Sequence, residues 1–92
     1  MSDKLRYAIR VTGRVQGVGF RYSAYRRAQD TGITGYVKNL PDGSVQIEAE
    51  GSKDQLDTFV EWCRKGPGLS YVESVIVDPF PPARYKEFRI YY

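Results

Sequence analysis

Along 92 residues two hydrophobic periodicities alternate in a single order, and that order leaves few folds open. Leu5, Tyr7, Ile9 and Val11 alternate with Arg6, Ala8, Arg10 and Thr12, the period-two pattern of a half-buried strand. Phe20, Ala24 and Ala28 then recur at four-residue spacing up to Thr31, which predicts a helix with Gly32 at its C′ position. Gly35 to Leu40 reads as a second strand, and Val45, Ile47 and Ala49 alternating with Gln46, Glu48 and Glu50 as a third. Leu40-Pro41-Asp42-Gly43 between them is a tight turn, so these two strands form a hairpin. Ser52 and Gln55 fit a capping box that opens a second helix, with Leu56, Phe59, Val60 and Cys63 on one face and Gly66-Pro67 at its end. Tyr71 to Val77 is rich in strand formers, Pro79, Pro81 and Pro82 are expected to break it, and Tyr85 to Tyr92 reads as a last strand.

The order is β-α-β-β-α-β with one strand added at the end. Two right-handed crossovers put both helices on the same side of the sheet. The expected fold is α+β and ferredoxin-like: an antiparallel-rich sheet, two helices on one face, and an added C-terminal edge strand. The length suits one domain, residues 1–92. With 41% hydrophobic residues against 27% charged, the chain is expected to fold rather than stay disordered. No run reaches membrane-spanning length, and Met1-Ser2-Asp3-Lys4-Leu5-Arg6 has no apolar signal core. A single cysteine makes no intramolecular disulfide. These features predict a cytoplasmic monomer with no membrane partner, although a tyrosine-rich sheet edge leaves self-association open.

Between the first strand and the first helix lies Gly13-Arg14-Val15-Gln16-Gly17-Val18-Gly19-Phe20-Arg21. Glycines there allow positive φ and let a ligand approach bare amides. The helix that follows adds unpaired N–H groups and the positive end of its dipole. Arg21, in the first turn, can grip an oxyanion with a planar fork of donors. The loop lacks the third glycine of a dinucleotide fingerprint and the Gly-Lys-Ser/Thr of a P-loop. Taken alone, it also fits an ordinary strand–helix connection. Positive charge gathers around the loop, a field that a small anion or a nucleic acid could use. Residues 1–30 hold seven basic residues against two acidic, net +5, and the rest hold seven against nine, net −2, giving the chain's +3.

Most catalytic parts are missing. There is no histidine, which removes His-based triads and His metal sites. Cys63 falls on the apolar face of the second helix and reads as inert. Asp54, Asp57 and Glu61 read as a solvated helix face, so no metal site is expected. Tyr91 and Tyr92 fit core or edge packing as well as a stacking surface. What remains is Arg21 with its loop, and Asn39 at the end of the second strand. The first two strands run parallel after one crossover, so Asn39 and the loop lie at the same end of the sheet. By itself Asn39 also reads as a turn residue.

Val11-Thr12-Gly13-Arg14-Val15-Gln16-Gly17-Val18-Gly19-Phe20-Arg21 resembles the first signature of the acylphosphatase family. Gly35-Tyr36-Val37-Lys38-Asn39, with Gly43, Val45 and Gly51 following at the expected spacing, resembles the second. The similarity spans essentially the whole chain. It departs at Leu40, where some members carry a hydroxyl residue, and in Gly66-Pro67-Gly68-Leu69-Ser70, which follows the family's Gly-Pro segment loosely. The resemblance implies a hydrolase that splits the carboxyl–phosphate bond of acyl phosphates, without cofactor. It further implies that the backbone of Val15, Gln16, Gly17, Val18, Gly19 and Phe20, with the Arg21 side chain, holds the phosphate. Asn39 would orient the attacking water.

That chemistry suits the residues present. An acyl phosphate carries a good carboxylate leaving group, and phosphoryl transfer depends mainly on positioning and charge stabilisation. The substrate is then a small acyl phosphate, with inorganic phosphate as product and competitive inhibitor. The phosphate itself is the expected acceptor of the water's proton. The rival reading is a binding module of the same fold for RNA or a small ligand. RNA-binding sheets present aromatics on their central strands. Gln46, Glu48 and Glu50 offer none on the third strand, so no nucleic-acid partner is expected.

Overall fold

The protein was analysed as a computed structural model that describes residues 4–92; Met1, Ser2 and Asp3, part of the stretch read above for a signal core, lie outside the described residues. Alternation makes β1 (Leu5–Arg14) two-faced, with Ile9 and Val11 buried and Arg10 exposed between them. Helix α1 (Phe20–Thr31) buries Phe20, Ala24 and Ala28, the four-residue stripe seen in the sequence. β2 (Thr34–Asn39) and β3 (Val45–Gly51) form the hairpin, in register from Thr34 opposite Glu50 to Asn39 opposite Val45. Helix α2 (Lys53–Lys65) opens on a complete capping box: Ser52 accepts from the Gln55 amide, and the Gln55 side chain accepts from the Ser52 amide. β4 (Tyr71–Phe80) and β5 (Phe88–Tyr91) complete the chain.

The strands form one sheet in the order β4-β1-β3-β2-β5. Neighbours are antiparallel except β2 and β5, which are parallel. This is the ferredoxin-like α+β arrangement with an added C-terminal edge strand. Both helices cover one face, where Phe20, Phe59 and Trp62 cluster with ring centroids 5.4 and 5.9 Å apart. Leu56, Phe59 and Cys63 fill the core beneath α2, and burial pushes the Cys63 thiol pKa up, away from nucleophilic use.

Two expectations about the C-terminal third are corrected. Pro79 does not break β4; the strand continues to Phe80, with Pro79 opposite Tyr7. β4 is an edge strand, so a residue without an N–H costs the ladder nothing on its open side. The last strand starts at Phe88 rather than Tyr85. Residues 81–87 instead form a strap that carries the chain from one sheet edge to the other.

Glu50 fixes that strap. It lies on the open face of β3 but is 1% exposed, and its carboxylate accepts from the amides of Ala83, Arg84 and Tyr85 at 2.5–3.1 Å. Glu48 adds an ion pair from Arg6 at 2.8 Å and a hydrogen bond from the Tyr85 hydroxyl. Burial opposes ionisation of Glu48, yet the hydrogen bonds from Tyr85 and Arg6 outweigh it and hold its pKa below the usual value. Its contribution to stability is therefore present above the unfolded carboxylate pKa and lost as pH falls through the lowered one. Glu50→Ala leaves three N–H groups without their acceptor. The expected cost is about 2–3 kcal/mol, read as a fall in Tm on the order of 10 °C for a domain of this size. An unchanged melting temperature would refute this role.

Candidate active site

The local sequence dictates an amide-rich turn after β1. Gly17 and Gly19 adopt φ of 75° and 80°, a left-handed conformation that side-chain-bearing residues resist. A Cβ built on either meets no atom within 4 Å, so it is backbone conformation rather than crowding that demands glycine. Gly19 is the N-cap of α1, with no side-chain cap and no acidic residue in the first turn. The first backbone bond after the turn runs from the Ser23 amide to the Gly19 carbonyl, 3.0 Å. Residues 16–19 form a turn, and none of the well-aligned loop backbone hydrogen bonds starts from an N–H of residues 15–22. The Gly17–Gly19 turn and the positive end of α1 border the same space.

That space is a pocket of about 160 Å³ lined by Val15, Gly17, Gly19, Phe20, Arg21 and Asn39. Tyr22, Ile90 and Tyr92 form the rest of its wall. The topology thus brings together the loop, Arg21 and Asn39, three features far apart in sequence. No carboxylate lines it. Among the described residues there is also no group of three His, Cys, Asp or Glu side chains placed to hold a metal.

Gln16 and Val18 are expected to contribute through their backbone, and their side chains are engaged elsewhere. The Gln16 side chain turns away and donates 2.8 Å hydrogen bonds to the Leu40 and Ser44 carbonyls, tying the loop to the β2–β3 turn. Val18 packs against the core, half-buried. Their side chains do not line the pocket, which leaves only their backbone for a ligand. The β2–β3 turn has its own supports besides Gln16: Asp42 accepts from the Ser44 amide and hydroxyl.

Arg21 is held from the far end of the chain. Its Nη1 donates to the Tyr91 carbonyl at 2.9 Å, and its guanidinium lies 4.8 Å from the centre of the Tyr92 ring. These contacts cost Arg21 one donor and aim the rest. Tyr91 and Tyr92, open above between packing and stacking, therefore belong to the site's framework. Tyr22, Ile90 and Tyr92 are the wall residues that sequence reasoning missed. Tyr22 follows Arg21 directly on α1, and Ile90 and Tyr92 arrive because β5 lies beside β2, next to the loop.

Asn39 contributes an unusual atom. Its Oδ1 is buried and has no hydrogen-bond partner among the described residues. Such an acceptor costs stability unless something fills it.

A ferredoxin-like sheet whose glycine loop, helix N-terminus and arginine converge on one small pocket is an α+β domain with its candidate site at one end of the sheet. The model of the acylphosphatase family matches residues 7–90. This chain belongs to the acylphosphatase family. It is 44% identical over 89 residues to the acylphosphatase of Trichormus variabilis, covering 97% of this chain and 88% of that one. It is 46% identical over 83 residues to the acylphosphatase of Yersinia pseudotuberculosis, covering 89% of this chain and 90% of that one. The crystal structure of acylphosphatase from Bacillus subtilis superposes with a TM-score of 0.93 at 42% identity, covering 96% of this chain and 99% of that one.

Proposed function

We propose that the pocket between the glycine loop and Asn39 is where this member of the acylphosphatase family hydrolyses acyl phosphates to a carboxylate and inorganic phosphate. The observation that carries the siting is the convergence of Arg21 and Asn39, from α1 and β2, on the pocket that the glycine loop lines. The amides of Val15 to Phe20 and the Arg21 guanidinium bind the phosphoryl oxygens. Asn39, which lines the pocket, orients the attacking water with its side-chain amide. Oxygen of that water bonds to phosphorus while the bond from phosphorus to the acyl oxygen breaks, and the carboxylate leaves with the bonding pair. The water's proton passes to a phosphoryl oxygen, consistent with a pocket that holds no carboxylate base. Fixed donors aimed at the transferring group supply the charge stabilisation, so neither metal nor cofactor takes part.

The chain acts as one domain and as a monomer without a nucleic-acid partner. On the open sheet face Tyr36 is stacked on Tyr91 at 5.1 Å and edge-on to Tyr85 at 6.1 Å, so these rings engage one another. No described helix is long and apolar enough to cross a membrane. A cytoplasmic setting fits the single buried cysteine.

Because the cradle recognises the phosphoryl group, inorganic phosphate should compete with acetyl phosphate. The apparent KM should rise linearly with phosphate at constant kcat. A fall in kcat at unchanged KM would place phosphate outside the cradle, and absence of any hydrolysis beside tight RNA binding would favour the binding-module reading.

A further inference from the structure

The cradle falls short of the roughly 300–1,000 Å³ of a usual small-ligand site. It holds a phosphoryl group and little more, so the acyl group must leave through its mouth. Tyr22, 57% exposed, stands at that mouth. Its other side lines a second groove of about 280 Å³ on the outer flank of α1, floored by Trp62 and Pro67 and walled by Arg26 and Arg27. Cradle and groove share this one tyrosine as partition.

Arg26 lies one helical turn after Tyr22, about 6 Å along the axis. Side chains on a helix lean toward its N-terminus. Accordingly, Arg26 Nη1 reaches back to donate to the Tyr22 hydroxyl at 3.3 Å, bringing its charge toward the cradle. Arg6, Arg10, Arg64 and Arg89 each have a carboxylate within 4.0 Å, whereas Arg26 and Arg27 have none among the described residues. Asp30, the acidic residue in the groove, stays beyond that distance from both. The groove therefore keeps a net positive charge, one aromatic ring away from the phosphate cradle.

We infer that the groove walled by Tyr22, Arg26 and Arg27 is a second anion subsite, and that the chain favours acyl phosphates whose acyl chain ends in another anionic group. The inference rests on the phosphoryl group occupying the cradle. Tyr22 then lies beside the acyl chain, and the two guanidinium groups meet its far end.

Succinyl phosphate and butyryl phosphate have the same chain length and differ in the terminal carboxylate, so their kcat/KM ratio reads the subsite directly. Each exposed guanidinium contact is worth roughly two- to fivefold, so the native protein should prefer succinyl phosphate by about tenfold. Arg26→Gln and Arg27→Gln together should bring the ratio near one through KM, leaving butyryl phosphate turnover unchanged; glutamine keeps good helix propensity. Arg26→Glu should push the ratio lower still. Added salt should erode the native preference and not that of the double variant. A native ratio near one, or a preference that survives in the double variant, would overturn the subsite. Its failure is separable from failure of the cradle: Arg21→Lys should lower kcat/KM for both substrates alike by roughly 10²–10³, and if both stay near the native values, the phosphate assignment is the part that fails.

Discussion

Arg21→Lys should fold normally and lose roughly 10²–10³ in kcat/KM, the scale of removing a preorganised donor from an oxyanion site. The loss follows from how the side chain is committed. One nitrogen already serves the Tyr91 carbonyl, and the guanidinium plane rests on the Tyr92 ring. The remaining donors stay in a fixed fork, matched to two oxygens of a tetrahedral phosphoryl group. Lysine keeps the charge but has a single ammonium on a flexible stem. It cannot hold Tyr91 and fork two oxygens in one geometry. Both kcat and phosphate affinity should fall, because the fork serves ground state and transition state. The structural effect should be small, about 1 kcal/mol for a half-exposed hydrogen bond and a cation–π contact. Wild-type kinetics in Arg21→Lys would remove Arg21 from the site; a large fall in Tm would make its role structural.

Asn39→Ala should separate catalysis from binding. A transition-state contact of this kind is worth roughly 10²–10³ in kcat. The inhibition constant for phosphate should stay nearly unchanged, since the anion is gripped by Arg21 and the loop amides. Stability makes the test sharper. Oδ1 is a buried acceptor without a protein partner, so deleting it unpairs nothing. The neighbouring turn keeps its hydrogen bonds from Gln16 and those within Asp42–Ser44. Tm should therefore hold or rise while kcat collapses. Asn39→Asp should be little better than alanine, because it adds a negative charge beside the phosphoryl group. If Asn39 only shaped the turn before Pro41, the pattern would invert, with Tm falling and kcat retained. One preparation measured for kcat, phosphate inhibition and melting decides it.

Local physics made much of this legible in the sequence. Period-two alternation gave β1 and β3, and four-residue spacing gave α1. The Ser52–Gln55 box gave the start of α2 to the residue. Each of these depends on neighbours within about one helical turn, and an amino-acid string displays such neighbours directly. The glycine loop was readable for the same reason, because positive φ at Gly17 and Gly19 is a property of single residues. Asn39 reached the loop on paper because two parallel strands must end on the same side of a sheet.

Tertiary structure decided what depends on distant partners. Pro79 stays within a strand because β4 lands on the sheet edge, a place set by pairing with β1 rather than by the proline. Tyr85 leaves the ladder because Glu50, 35 residues earlier, captures its amide. Arg21 is held by the carbonyl of Tyr91, 70 residues away, and the Gln16 side chain is tied to carbonyls 24 and 28 residues on. The unfilled valence of Asn39 and the pairing of Tyr22 with Arg26 beside an open groove exist only once the chain has closed. Sequence fixes which groups can bond through the conformations it allows each residue. Which of them meet is set by long-range pairing of the sheet, whose energy is shared among residues that no short window contains.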